Sequence, residues 1–419
     1  MFFLIKDKIR RIIKYTVPIL LWAMGASVIG LLGGLLGTGL YKSIDAVTFV
    51  RDCNRWIVWL LPVGGLVIVA LYKLCRVDTS SGTNVIIDSV RTERKPPVLL
   101  IPLIFIGTVI THLFGGSAGR EGAALQLGGS LGNCLGKIVR LDKKNTKLAV
   151  MCGMSAVFSA LFGTPLAAAV FTIEVISVGA VYYAALTPCL VSSIVAWLTA
   201  RLSGIPAAVY ELPSLSSEPF MDGLKVSGLA LLCSLLSIIF CIVLHQSEKW
   251  AAKFIKNKFL RIAVCGLIIA VLTFFVRSGD YNGAGADIIA AAVGGNSRPE
   301  AFLLKILFTA ITLAGGYKGG EIVPTFFIGA TFGCTVGSLL GLPPGFGAAI
   351  GMCAMFCGVV NCPMASAFLA IELFGGKYFL FFFIAICISY VFSGYYGLYG
   401  SQKILYAKNR LEFIDRMAE

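Results

Sequence analysis

The chain has 419 residues, of which 58% are hydrophobic and 13% charged, with a mean hydropathy of +0.88. Soluble domains carry about 25% charged residues. No water-surrounded core of this length has room for so much apolar surface, so a soluble globular protein is excluded and lipid is part of the solvent. The net charge of +14 does not point to nucleic acid, because the basic residues flank apolar stretches, at 6–14, 91–95, 137–147 and 249–261. That is the pattern of cytosolic edges of membrane spans.

In residues 1–16 charges alternate with apolar side chains, and no small-residue cleavage site follows a short apolar core. This reads as a cytosolic amphipathic segment on the membrane surface, not a signal peptide. Residues 17–419 read as a single transmembrane transport domain. Stretches long enough to cross a bilayer follow at Val17 to Val50, Trp56 to Leu74, Pro97 to Phe114, Val181 to Leu202 and Val226 to Leu244.

The 47 glycines cluster at 114–136, 284–295 and 315–345, where they interrupt the apolar pattern. Helices broken inside lipid are tolerated only where protein or a watery cavity satisfies the freed backbone groups, so these breaks point to a pathway. The chain ends at Glu419 soon after the last apolar span, which leaves no room for a cytosolic regulatory domain. The 13 cysteines lie mostly in apolar spans without a CxxC pair, and the two histidines, His112 and His245, are far apart. Neither a metal site nor a cofactor is expected.

Two blocks recur along the chain. Gly115, Gly116, Gly119, Glu121 and Gly129 match Gly315, Gly316, Gly319, Glu321 and Gly329 at an offset of 200 residues (315 − 115). Pro165, Ala167, Ala169, Ile173 and Glu174 match Pro363, Ala365, Ala367, Ile371 and Glu372 at an offset of 198 (363 − 165). The chain is read as two related halves, about 17–205 and 221–410. Internal repeats with broken helices at corresponding positions are a transporter design, with the binding site at the repeat interface near the bilayer midplane. An odd number of crossings per half would require the repeats to be inverted.

The chemistry is read at the two glycine-rich turns. Gly116-Ser117-Ala118-Gly119-Arg120-Glu121-Gly122 precedes a helix-like run from Ala123 to Leu135. Such a turn aims unpaired N–H groups and the positive end of a helix dipole at whatever lies ahead, which favours an anion. A carboxylate there competes with the anion, so Glu121 is either a structural helix-start acid or a gate that swings aside. The second half repeats the device from Gly315 through Gly319, Gly320 and Glu321 to Pro324, a proline suited to a first helical turn. Two such starts facing each other make one dehydrated anion site.

From about residue 15 to about residue 410 the sequence resembles the CLC family of anion channels and proton-coupled anion antiporters. Gly119-Arg120-Glu121-Gly122 resembles that family's Gly-Arg/Lys-Glu-Gly-Pro motif, with Ala123 in place of the usual proline. The resemblance implies that Glu121 is the external gate and proton carrier, in a loop formed with Gly119, Arg120 and Gly122. Gly319-Gly320-Glu321-Ile322-Val323-Pro324 is similar to the Gly-x-Phe-x-Pro segment, which implies that Gly320 to Val323 line the anion site and that the amides of Glu321 and Ile322 hold the ion. Leu398-Tyr399-Gly400-Ser401 resembles the start of the last family helix and nominates the Tyr399 hydroxyl. Ser80-Ser81-Gly82-Thr83-Asn84 resembles the Gly-Ser-Gly-Ile-Pro turn and nominates Ser81 at the inner end.

The implied fold is an all-α, multi-span arrangement of two inverted repeats with broken and re-entrant helices. The implied protein is a homodimer in the cell membrane with its N-terminus in the cytosol, moving a halide through each subunit. Val175 stands where chloride/proton antiporters of the family carry an internal Glu. Lys318-Gly319-Gly320-Glu321, with the inner loop Gly82-Thr83-Asn84, resembles instead the fluoride/proton antiporter branch, in which Glu321 aids coupling. Val323 departs from that branch, where a threonine lines the site. The favoured expectation is a fluoride/proton antiporter; a chloride channel or chloride transporter on the same scaffold is the alternative. Bland readings stand beside these. Ser81 either lines the site or caps the next helix, and Tyr399 either touches the ion or belongs to an interfacial belt. Arg120 and Lys318 either attract anions or pair with Glu321 or Glu174. Glu174 and Glu372, at equivalent repeat positions, are expected to support the fold.

Overall fold

The computed structural model describes residues 2–78, 82–92, 96–206, 208–215 and 218–419; of residues 2–13 and 15 it describes the helix alone. Among the described residues, sixteen α-helices divide into two sets of eight. The first set is α1 (Phe2–Cys53), α2 (Leu61–Leu74), α3 (Thr83–Arg91), α4 (Leu100–Leu113), α5 (Glu121–Ile138), α6 (Lys143–Phe162), α7 (Pro165–Glu174) and α8 (Leu186–Leu202). The second is α9 (Pro219–Phe254), α10 (Lys258–Val276), α11 (Ala286–Val293), α12 (Ala301–Gly315), α13 (Ile322–Leu339), α14 (Pro344–Val360), α15 (Pro363–Phe374) and α16 (Phe379–Phe392). The packing repeats as well: α5 on α6, α6 on α8 and α1 on α6 answer α13 on α14, α14 on α16 and α9 on α14. The two halves meet through α2 with α10, through α7 with α15 and, more narrowly, through α5 with α13.

Among the described residues, seven helical segments are long and apolar enough to cross a bilayer, and the shorter apolar helices have 10–17 residues. The 38 described residues from Thr16 to Cys53 and the 36 of α9 each run to about 55 Å at 1.5 Å per residue, which exceeds the ~30 Å apolar layer and requires tilt or overhang. The boundary expected at residue 16 is not marked in the backbone, because α1 continues through it. The outer faces carry exposed Leu20, Leu35, Phe49, Leu202, Phe275 and Leu339, an apolar surface suited to lipid.

Local sequence explains the broken pieces. Gly163 and Asn361 end α6 and α14 in left-handed conformations (φ 73° and 58°), and Pro165 and Pro363 then open α7 and α15. Many glycines inside helices serve packing instead of breaking. A side chain on Gly153 would overlap the Gly128 carbonyl, and one on Gly351 would overlap that of Gly329. Gly128, Gly132 and Gly136 on α5 thus lie against α6, as Gly329, Gly333 and Gly337 on α13 lie against α14, the close backbone approach that small residues give in membranes.

The helical scaffold carries one three-stranded sheet. β1 (Ser177–Val178) pairs in parallel with β2 (Lys403–Tyr406), which pairs antiparallel with β3 (Phe413–Met417). Consequently the stretch after Tyr399 is not the start of a helix. Gln402 N donates to Tyr399 O in a single turn, and the chain then enters β2, where Val178 and β3 take its backbone groups.

Candidate functional site

The two glycine-rich turns meet back to back. Gly119 N donates to Gly320 O (2.7 Å) and Gly320 N to Gly119 O (2.8 Å), an isolated antiparallel bridge between the halves. Two further sets of contacts around it are reciprocal. Lys318 N donates to Thr111 Oγ1 (3.2 Å) as Ser117 N donates to Thr312 Oγ1 (3.0 Å), and each threonine hydroxyl donates to the carbonyl four residues earlier. Gly115 and Gly316 hold the same left-handed conformation (φ 84° and 96°), and the residues just before α5 and α13, Arg120 and Glu321, share φ near −100°.

All these pairs lie at an offset of 201 residues (320 − 119, 312 − 111). The offset of 200 read from identities is therefore corrected by one. Glycines also align one register off, Gly115 with Gly316 and Gly119 with Gly320, and the backbone contacts select that match. Glu121, the first residue of α5, corresponds to Ile322, and Glu321 corresponds to Arg120.

Glu121 is 1% exposed. Its carboxylate lies beside the main-chain N–H groups of Arg120, Glu121 and Val323, yet neither oxygen completes a hydrogen bond, and Arg120 Nε is 3.8 Å from Oε1. The acid of α5 thus sits between the N–H groups of its own helix start and the Val323 N–H of α13. Arg120 pairs with its chain neighbour and stacks 4.2 Å over the Tyr41 ring, whereas the Lys318 ammonium lies 4.6 Å over Tyr72. Half-buried Glu321 places Oε2 near Gly122, also without a hydrogen-bond partner. The Tyr399 hydroxyl, in a residue 2% exposed, has no partner either.

The two carboxylates therefore bring open hydrogen-bonding capacity to the paired helix starts, and the Tyr399 hydroxyl is a third buried group without a partner. A bare anion that accepts from N–H and O–H donors while an acid gives way fits this chemistry. Gly122 and Gly320 have to be glycines here, since a Cβ on Gly122 would come within 2.8 Å of Gly320 Cα.

Ser81 lies outside the described residues. The neighbouring start of α3 does reach the site: Thr83 Oγ1 is 3.4 Å from Gly122 O, and Asn84 Oδ1 accepts from Ser401 N at 3.1 Å, tying α3 to the Tyr399 turn. Glu174 accepts from Met364 N (3.2 Å) and Ala365 N (2.9 Å), and Glu372 accepts from Leu166 N (2.8 Å) and Ala167 N (2.9 Å). Each acid neutralises the start of the other's helix. Val175 is buried, and its carbonyl accepts from Gln402 Nε2.

Sequence reasoning missed several contributors. Gln402 also accepts from Asn361, whose carbonyl oxygen is bonded by the Lys408 ammonium, a network that fastens the C-terminal hairpin beneath the site. A cavity of about 780 Å³ at the end of α1, lined by Tyr41, Arg51, Arg55, His112 and Arg277, leads to Arg120. Comparing the halves at offset 201 reveals Thr111 and Thr312; the others depend on tertiary contacts alone.

These features define an α-helical membrane protein of two inverted repeats whose broken helices converge on one buried polar site. Residues 64–394 match the voltage gated chloride channel family, and the chain belongs to that family. It is 35% identical over 395 residues to a chloride/fluoride channel protein of Pseudomonas syringae pv. tomato, covering 93% of this chain and 87% of that one. It is 25% identical over 397 residues to a proton/chloride exchange transporter of Vibrio campbellii, covering 84% and 82%. Its fold matches the crystal structure of a CLC-type fluoride/proton antiporter with a TM-score of 0.88 at 31% identity, over 92% of this chain and 98% of that one. A slow cyanobacterial chloride/proton antiporter shares the fold at a TM-score of 0.76 and 20% identity.

Proposed function

We propose that the protein exchanges a halide, with fluoride preferred, for protons across the cell membrane, working as a homodimer with one pathway per subunit and a cytosolic N-terminus. The observation that carries this reading is the carboxylate of Glu121, buried without a hydrogen-bond partner between the N–H groups of its own helix start and the Val323 N–H of the opposite one. A carboxylate so placed leaves when an anion arrives and is more easily displaced once protonated, which links the two movements. Glu321 and Tyr399 complete the site, with the α13 amides, from Glu321 to Val323, as donors to the ion. The relative from Pseudomonas and the fluoride/proton antiporter of matching fold support fluoride as the ion. Val323, an apolar side chain at the site, favours the second reading, a passive chloride pathway on the same scaffold.

Proteoliposomes loaded with potassium fluoride or potassium chloride separate the two. The exchanger releases fluoride faster than chloride and moves protons uphill as the halide runs down its gradient. Chloride release at least as fast, with no accompanying proton movement, overturns the proposal.

A further inference from the structure

We propose that protons travel between the inner face and the acids of the site along a polar seam on α5, which takes the place of an acid at position 175; this rests on the proton-coupled reading above. Gln126, Ser130 and Asn133 follow Gly122 at helical spacing and so share one side of α5. They are 4%, 0% and 1% exposed, three buried polar side chains in succession in the membrane interior. Such groups are costly unless hydrogen-bonded.

Gln126 Oε1 and Ser130 Oγ have no partner among the described residues. Buried hydroxyls on helices usually return to the carbonyl four residues earlier, as Thr111, Thr172 and Ser366 do here, but Ser130 does not. Its capacity is held open.

Both ends of the seam are anchored. At the top, Thr83 Oγ1 lies 3.5 Å from Gln126 Nε2 and 3.4 Å from Gly122 O, next to the residue that bears the Glu121 carboxylate. At the bottom, Asn133 Nδ2 donates to Pro96 O at 2.9 Å, one turn before Lys137 opens the basic stretch 137–147. From residue 122 to residue 133 the helix rises about 17 Å, roughly half of the ~30 Å apolar layer. That is the distance from midplane to inner surface. The Ser130 hydroxyl and the waters held in place by the Gln126 and Asn133 amides form a hydrogen-bonded file in which each hop makes one O–H bond and breaks another. The proton ends on the carboxylate of Glu121 or Glu321. The Val175 side chain has no group that can take part.

The test uses full-length protein in liposomes with a fluoride gradient, reading fluoride release by electrode and proton uptake by external pH in the same vesicles. For Gln126→Leu and Ser130→Ala, proton uptake falls on the order of tenfold, the effect on a rate of removing one hydrogen-bonding step, while fluoride release stays within about twofold. Ser130→Thr, which restores the hydroxyl, keeps wild-type coupling; if Gln126→Leu does not fold, the contrast of alanine with threonine at residue 130 decides. Wild-type proton-to-fluoride ratios in the leucine and alanine variants overturn the seam while leaving the exchanger intact. Absence of coupled protons in the wild type itself overturns the exchanger reading, and the seam with it.

Discussion

Glu174 and Glu372 occupy matching repeat positions and make matching bonds, yet their removal should cost different amounts. Glu174→Ala strands the N–H groups of Met364 and Ala365 at the start of α15, where Glu174 is 7% exposed. The Ala365 bond is buried and its loss costs about 1–3 kcal/mol, the part-buried Met364 bond costs less, and the pair costs about 2–4 kcal/mol. Glu372→Ala strands Leu166 N and Ala167 N, but Glu372 is half-buried and its bond to Leu166 lies at an exposed position, so water replaces part of the loss. The cost there falls to about 1–2 kcal/mol. In detergent, the fraction of protein still monodisperse after heating should collapse at the lowest temperature for Glu174→Ala, next for Glu372→Ala and last for the wild type. Halide release per folded molecule should stay near wild type in both variants. If Glu372→Ala melts at or below Glu174→Ala, the burial argument fails. If Glu174→Ala melts like the wild type but loses proton coupling, Glu174 belongs to transport and not to the fold.

Glu121→Gln should abolish proton uptake driven by a fluoride gradient while halide release continues, because an amide cannot carry the proton; uphill proton movement in the variant removes Glu121 as carrier. Val323→Thr places a hydroxyl close to Gly119 and should raise fluoride release relative to chloride, since the smaller, more strongly hydrated ion needs denser donors to replace its water. An unchanged ratio means that residue 323 does not face the ion. For Glu321→Gln, calorimetric titration with fluoride in buffers of different ionisation enthalpy should show fewer protons taken up per ion than in the wild type. Equal uptake takes Glu321 out of the mechanism.

Hydropathy alone located α1, α2, α4, α8 and α9, each with an exposed apolar face. It could not delimit α13 to α15, because they are surrounded by protein and their apolar runs blend with their neighbours. The duplication was legible from glycines and from the Pro165 and Pro363 blocks, but its register was not: in Gly115-Gly116 and Gly315-Gly316, identity cannot say which glycine matches which. The conformations at Gly115 and Gly316 decide it. Strand β1 has two residues, too few for an alternating pattern, and it exists because β2 returns to it from 226 positions later (403 − 177). Glu121 was visible as a helix-start acid beside a glycine turn. That its carboxylate reaches the N–H of Val323, two hundred residues away, is a property of the bridge between the halves.

That bridge has a consequence for directionality. A two-fold axis lying in the membrane makes a pathway look the same from either side, and a strictly symmetric pair of helix starts could not distinguish outside from inside. Here the backbones match and the side chains do not: Arg120 answers Glu321, Glu121 answers Ile322 and Ser117 answers Lys318. At each of these positions one half carries a charge that its counterpart lacks or reverses. A protein assembled from two copies of the first half would keep the bridge and lose this polarity, conducting without a preferred face. The mismatch at three pairs of residues gives an otherwise reversible scaffold a front and a back.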